Sequence, residues 1–329
     1  PPTCGPAVPS GLSGLPPAAG GGHLPALMET SFLTLRTGAR LRLASWRAAS
    51  ARSRGTVLLL TGRSEPVEKY EETAGDLLAR GFAVHSLDWR GQGLSDRFLA
   101  DRERCHVDDF AILVADLAEV VDRVVLPAAG GRPLVMLGHS MGGMLGLRFL
   151  AEHPGHVRLA AFTAPMVGIQ ALRRARWLLA GLADLAVARG RAGDYALGQG
   201  DFDPDLRSFA GNRLTSDPAR FEVHRRAFQT NPELRVGGVT WGWLAAACRS
   251  TRLLLTPAYA RRITVPVLIA SAGREALVDN AAQKRLAQFL PDCTFTTYPD
   301  ALHEILMERD EIRDGFLSDF DRFLERHGI

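Results

Sequence analysis

Three features of the sequence predict an α/β fold, with a mostly parallel central sheet, helices on both of its faces and a helical insertion. Short apolar runs recur, among them Val57-Leu58-Leu59-Leu60, Pro133 to Leu137 and Val265-Pro266-Val267-Leu268-Ile269-Ala270. Runs of that length read as strands buried on both faces. Segments of helical period alternate with them, and strand-helix-strand-helix spacing means parallel pairing with helices laid over the sheet. Between Met166 and about Arg261 the alternation stops; this stretch reads as helical, is Arg-rich and is interrupted by Gly190, Gly193, Gly198 and Gly200. The division is therefore a first half of the core at 28–165, a helical cap at 166–261 and a second half of the core at 262–329.

Taken in chain order, residues 1–27 are dominated by Pro and Gly, as in Pro16-Pro17 and Gly20-Gly21-Gly22. They bury too little apolar surface to offset their ordering entropy, so a disordered arm is expected. Thr30 to Ala49 alternates apolar and polar residues around Thr37-Gly38, a hairpin pattern. The strand Val57 to Leu60 ends at Thr61-Gly62. Glu68 to Arg80 follows with helical period (Tyr70, Ala74, Leu77, Leu78) and stops at Gly81. Ala83 to Leu87 is the next strand, then a Gly-rich turn, Asp88-Trp89-Arg90-Gly91-Gln92-Gly93. Asp108 is the expected N-cap of a helix running to about Val125. Pro133 to Leu137 is a strand, followed at once by Ser140 and a helix to Glu152. A late strand covers Cys293 to Tyr298, and an amphipathic helix runs from about Glu311 to Arg326.

With 46% hydrophobic and 23% charged residues in 329, this is the composition of an ordinary globular protein. A net charge of +3 is too small to imply nucleic acid. Lys69 and Lys284 are the only lysines, so Arg carries nearly all the positive charge. Cys4, Cys105, Cys248 and Cys293 have neither metal-ligand nor CxxC spacing and read as free thiols of a reducing compartment. No apolar run approaches the roughly 20 residues that span a bilayer. Residues 1–27 lack the charged start and apolar core of a signal peptide. A cytoplasmic protein is expected.

The chemistry is carried by Gly138-His139-Ser140-Met141-Gly142, a G-x-S-x-G match between the strand ending at Leu137 and the helix from Met144. That context is what a nucleophile elbow requires: a sharp turn with the serine at its tip and no room for bulky neighbours. A serine hydroxyl needs a base to take its proton. His303 follows the last strand, in Asp300-Ala301-Leu302-His303-Glu304, where the chain returns to the strands' carboxyl ends. The acid that orients the imidazole should follow the strand Val267 to Ala270, and Glu275 and Asp279 both fit. Glu275 occupies the usual distance from the strand end. Asp279 falls where a helix should start and reads equally as its N-cap. Two backbone N–H donors are expected to hold the oxyanion: that of Met141, at a helix N-terminus, and that of Arg63, after Thr61-Gly62. Ser-His-acid chemistry needs no metal or organic cofactor.

Gly138-His139-Ser140-Met141-Gly142-Gly143, Asp88-x-Arg90-Gly91-x-Gly93-x-Ser95 and Ala301-x-His303 resemble the monoacylglycerol lipases of the α/β-hydrolase fold. Met166-Val167-Gly168-Ile169, Arg235 to Trp241, Val278-Asp279-Asn280 and His303 to Glu308 resemble their bacterial lysophospholipase relatives more closely still. The resemblance covers roughly Glu29 to His327 and implies a serine carboxylic-ester hydrolase with a cap over its site, acting on lysophospholipids or monoacylglycerols. Short-chain esterases and serine peptidases share the triad. The chain departs from the lipases in two places, with Thr61-Gly62 where they carry His-Gly and Glu275 where they carry Asp.

In the cap, Leu172, Ala175, Leu179, Leu182 and Ala186 fall on one helical face, with Arg173, Arg174, Arg176 and Trp177 on the other. An apolar stripe flanked by Arg and Trp suits a helix that meets lipid headgroups at the inner face of a membrane, and equally a helix packed on the core with solvated arginines. Trp177, Trp241 and Trp243 are the candidate substrate-binding aromatics.

Overall fold

The computed structural model describes residues 28–47, 53–170, 176–203 and 208–329; the expected arm at 1–27 lies outside them. Eight strands form one sheet: β1 (Glu29–Thr34), β2 (Arg40–Trp46), β3 (Gly55–Leu60), β4 (Phe82–Leu87), β5 (Leu134–His139), β6 (Leu159–Thr163), β7 (Val267–Ala272) and β8 (Cys293–Tyr298). Their spatial order is β1-β2-β4-β3-β5-β6-β7-β8. The expected hairpin is the antiparallel edge. Leu33 stands opposite Leu41, Gly38 turns the chain at φ 86°, and β2 pairs antiparallel with β4. From β4 to β8 every neighbouring pair is parallel.

The connections are α1 (Glu71–Ala79), α2 (Phe110–Val120), α3 (Leu126–Ala129), α4 (Met141–Glu152), α5 (Arg176–Ala188), α6 (Pro218–Thr230), α7 (Trp241–Leu254), α8 (Pro257–Ala260), α9 (Asn280–Ala287) and α10 (Asp310–Arg326). The apolar strands are buried on both faces because their side chains alternate between two cores. Leu58 and Leu60 of β3, Met136 of β5, Phe162 of β6 and Ile269 of β7 face the layer holding α2, α4, α7 and α9. Val57, Leu59, Val135, Leu137, Ala161 and Leu268 face the opposite layer, where Ala74 and Leu77 of α1 meet Phe316, Phe320 and Phe323 of α10.

Two local expectations change. The N-cap of α2 is Asp109, whose carboxylate accepts from Ala111 N at 2.8 Å. The helix starts at Phe110, so Asp108 is one residue too early to cap it, and its Oδ1 lies 3.2 Å from His106 Nε2. In the cap, α5 packs on α7 through Ala180 and Ala183 against Trp241, Leu244 and Ala245. The closest approach selects the small residues, which turns Leu182 outward with Trp177, Leu178 and Leu185. Leu172, Arg173, Arg174 and Ala175, and the side chain of Arg176, lie outside the described residues.

The turn after β4 is fixed by Asp88. This buried carboxylate pairs with Arg42 Nε at 2.8 Å and accepts from Val67 N at 3.1 Å and Leu94 N at 2.9 Å. Arg90 reaches Asp116 at 2.5 Å. Both side chains are spent on contacts within the fold. Burial pushes Asp88 up to about 6 against the pull of Arg42 and the two N–H donors. A raised carboxylate favours the folded state at low pH, and that contribution is lost as pH rises through the folded value. Wild type should therefore lose stability relative to Asp88→Asn as pH rises from about 4 to about 7. Paired urea titrations at several pH values check this; a gap between the two proteins that stays constant with pH contradicts it.

Candidate active site

The carboxyl ends of β3, β5, β7 and β8 deliver the site, where ligands of open parallel sheets bind. Ser140 joins β5 to α4 at φ 50° and ψ −114°, a conformation that side chains rarely adopt. A Cβ on Gly142 would lie 2.4 Å from the carbonyl oxygens of both Leu60 and Thr61, so only glycine lets α4 start this close to β3. The turn is tied to β6 by Ser140 N donating to Thr163 O at 3.0 Å.

Ser140 Oγ lies 3.0 Å from His303 Nε2, and His303 Nδ1 lies 2.7 Å from Glu275 Oε2. A carboxylate at Nδ1 fixes the tautomer, leaving Nε2 to accept the serine proton. The other Glu275 oxygen accepts from the N–H groups of Ala276 at 2.9 Å, Leu277 at 2.7 Å and Val278 at 3.3 Å. Burial alone would raise Glu275, but His303 and the N–H groups of Leu277 and Val278 hold it below its ordinary value. Asp279 is turned to another task, accepting from Ala281 N at 2.9 Å and Ala282 N at 3.3 Å as the N-cap of α9. Of the two acids open in the sequence, the structure joins Glu275 to His303.

Met141 contributes the first N–H of α4, one that a helix leaves without an internal partner. In the turn after β3, Gly62 N donates to Glu65 Oε2 at 2.5 Å. Arg63 N makes no hydrogen bond among the described residues, and Arg63 lines the cavity together with Ser140. Ser64, at φ 59°, is held through its N–H by the Gln92 side chain.

Beneath the serine lies a charged cluster that the sequence reading did not single out. Lys69 Nζ sits 2.6 Å from Glu65 Oε1 and 2.7 Å from Glu304 Oε1, with all three side chains buried. His139, beside them, places Nδ1 at 3.1 Å from Thr163 O and packs its ring 4.7 Å from that of His303. Burial pushes His139 down to about 3 despite the pull of Glu65, with His303 adding to the depression, so it is neutral at physiological pH. Glu65, His139 and Glu304 are the one cluster of metal-ligand type among the described residues. The Lys69 ammonium already supplies the positive charge at both carboxylate oxygens, which leaves a cation little to gain there.

A cavity of about 740 Å³ opens over Ser140. Trp241 and Trp243 line it. Trp177 does not: it is 74% exposed on the outer face of α5, under the guanidinium of Arg252 at 5.8 Å.

The sheet, the elbow and the Ser140–His303–Glu275 chain of hydrogen bonds define a serine hydrolase of the α/β-hydrolase fold. The family model described as serine aminopeptidase, S33, matches residues 51–310, and the chain belongs to this family. It is 35% identical over 282 residues to lysophospholipase L2 of Escherichia coli, covering 82% of this chain and 80% of that one. It is 29% identical over 271 residues to a probable lysophospholipase L2 of Haemophilus influenzae, covering 82% and 84%. Among solved structures it is similar to a soluble variant of monoglyceride lipase from Saccharomyces cerevisiae in complex with a substrate analog, with a TM-score of 0.73, 20% identity and coverage of 91% and 95%.

The two candidate acids give a direct test. Glu275→Gln should lower kcat by about 10³–10⁴-fold, because an amide fails to hold the imidazole in its working tautomer. Asp279→Asn should leave kcat unchanged, since Asn caps a helix about as well as Asp. Steady-state hydrolysis of an activated ester by both variants checks the pair; the reverse ranking makes Asp279 the acid.

Proposed function

We propose that this serine hydrolase deacylates lysophospholipids, with Ser140 as nucleophile, His303 as general base and Glu275 as the acid that orients it. The observation that carries the substrate class is the cavity's mixed lining. Ile169, Leu179, Trp241, Trp243, Leu244 and Leu277 offer apolar contact to an acyl chain. Arg63, Arg213 and Arg225 line the same cavity and supply cations for a phosphate, although Arg225 also pairs with Glu222 at 3.3 Å. A monoacylglycerol would use the apolar residues and leave these arginines without an anion.

Ser140 Oγ attacks the acyl carbonyl as His303 Nε2 takes its proton. The N–H groups of Met141 and Arg63 receive the oxyanion at the start of α4, where the helix dipole favours negative charge. His303 then protonates the departing glycerophospho-alkoxide, leaving the acyl group on Ser140, and activates the water that releases it. The family's description names a peptidase. An aminopeptidase needs free carboxylates for the substrate ammonium, whereas Glu65 and Glu304 in this cavity are both paired with Lys69. An ester with an anionic headgroup suits the lining better.

The outward face of α5 extends this reading to where the substrate resides. Trp177, Leu178, Leu182 and Leu185 are exposed there, and the likewise exposed Leu197 and Leu277 line the cavity itself. No helix among the described residues is long and apolar enough to cross a membrane. Shallow insertion of this face into a lipid surface would bring the cavity to lysophospholipid packed there. In this reading membrane contact runs through the apolar residues of α5; of the arginines expected beside them, Arg173, Arg174 and the side chain of Arg176 lie outside the described residues.

Wild type should cleave 1-acyl lysophosphatidylcholine faster than the monoacylglycerol of the same chain length, and Ser140→Ala should cleave neither. Arg213→Ala/Arg225→Ala should raise KM for the lysophospholipid about tenfold or more, the loss expected of a charged hydrogen bond, and leave the monoacylglycerol unaffected. Equal turnover of both lipids, insensitive to the two arginines, overturns the headgroup assignment. Turnover of p-nitrophenyl butyrate alone makes the protein a short-chain esterase.

A further inference from the structure

The buried cluster under Ser140 carries more than its role in packing. We propose that Lys69 is a positioning residue that locks the oxyanion turn to the loop carrying His303. Its ammonium bridges two carboxylates, and each is one step from a reacting group. Glu65 uses one oxygen for Lys69 Nζ and the other for Gly62 N at 2.5 Å and Tyr70 OH at 2.6 Å. Gly62 directly precedes Arg63, the proposed oxyanion donor. Because Glu65 takes the Gly62 N–H, the Arg63 N–H is the donor this turn has left for substrate. A Cβ at Gly62 would lie 2.4 Å from Glu65 Oε2, so the glycine is there to let the carboxylate in. On the other side Glu304 directly follows His303, and its Oε1 lies 2.7 Å from Lys69 Nζ. The same loop is held from the cap through Glu304 N to Leu214 O at 2.7 Å.

The charge balance requires the ammonium as well. Two buried carboxylates beside the place where an oxyanion develops would oppose that charge in a low-dielectric site. Lys69 offsets them. Burial pulls Lys69 down, but Glu304 and Glu65 outweigh it and keep it charged. Burial raises Glu65 too, yet the Lys69 ammonium and the Tyr70 hydroxyl hold it ionised. The same ammonium thus joins two loops, at Glu304 beside His303 and at Glu65, which lies two residues past Arg63 and accepts from Gly62 N.

This inference rests on the proposed roles of Ser140, His303 and Arg63, and the experiment keeps the two apart. Lys69→Met, Lys69→Arg and Glu304→Gln are compared with wild type for kcat and KM on an activated ester. Each is also tested for inhibition by an alkyl trifluoromethyl ketone, whose adduct with the serine carries the tetrahedral oxyanion. Lys69→Met should lower kcat by about 10²-fold, the loss expected of a displacement on the order of 1 Å, with KM nearly unchanged. Its inhibition constant should rise by the same factor. Lys69→Arg should recover part of both losses. Glu304→Gln keeps an acceptor oxygen and should fold even where Lys69→Met does not, with a smaller, parallel drop in kcat and inhibitor affinity. Folded Lys69→Met with wild-type kcat and inhibition overturns the proposal. If Lys69→Met does not fold, wild-type values for both Glu304→Gln and Lys69→Arg overturn it. Undiminished hydrolysis by Ser140→Ala would instead sink the nucleophile assignment.

Discussion

A serine held at φ 50° costs about 1–3 kcal/mol of backbone strain, and the surrounding fold must hold it there. Three constraints do so together. Thr163 O fixes the Ser140 N–H, α4 begins one residue later, and the Leu60 and Thr61 carbonyls press against Gly142. Relaxing the serine would move the helix off the sheet and expose the apolar faces of α4 and β5. The strain therefore persists because packing elsewhere is worth more, and the hydroxyl stays at the carboxyl end of the central strand β5, where His303 can reach it.

Much of this was legible in the sequence because it depends on local pattern. Val57 to Leu60 and Pro133 to Leu137 are apolar throughout because parallel strands bury both faces, and the elbow residues are small because nothing else fits between strand and helix. The choice between Glu275 and Asp279 was only partly legible: the distance from the strand end favoured Glu275 without deciding it. Both follow β7 at plausible distances, and what separates them is a loop that aims three N–H groups at one carboxylate and turns the other into a helix cap. The α2 cap missed by one residue for a similar reason, since Asp108 and Asp109 are chemically identical and only the chain's entry angle tells them apart.

The cap was harder still. A helical stripe of leucines predicts the buried face when the neighbour is a broad apolar core. Here the neighbour is α7, whose Trp241 and Leu244 already fill the space, so α5 approaches through Ala180 and Ala183, with Leu179 and Ala186 of the expected stripe beside them and Leu182 turned outward. The ion cluster was hidden by the opposite effect. Glu65 and Lys69 stand four residues apart, the spacing of a solvated surface pair, and nothing local reveals that Glu304 arrives from the far end of the chain to enclose them.

The burial of Lys69 has a practical side. Of the chain's two lysines, Lys69 is sealed within the ion cluster and Lys284 is exposed on α9, away from the cavity lining. Acylating reagents that seek side-chain amines thus meet one accessible ε-amino group in the native state. Among the lysine side chains a dye or tether has one site in the folded state, Lys284, alongside the chain's α-amino group, and label appearing on Lys69 would report that the interior has opened.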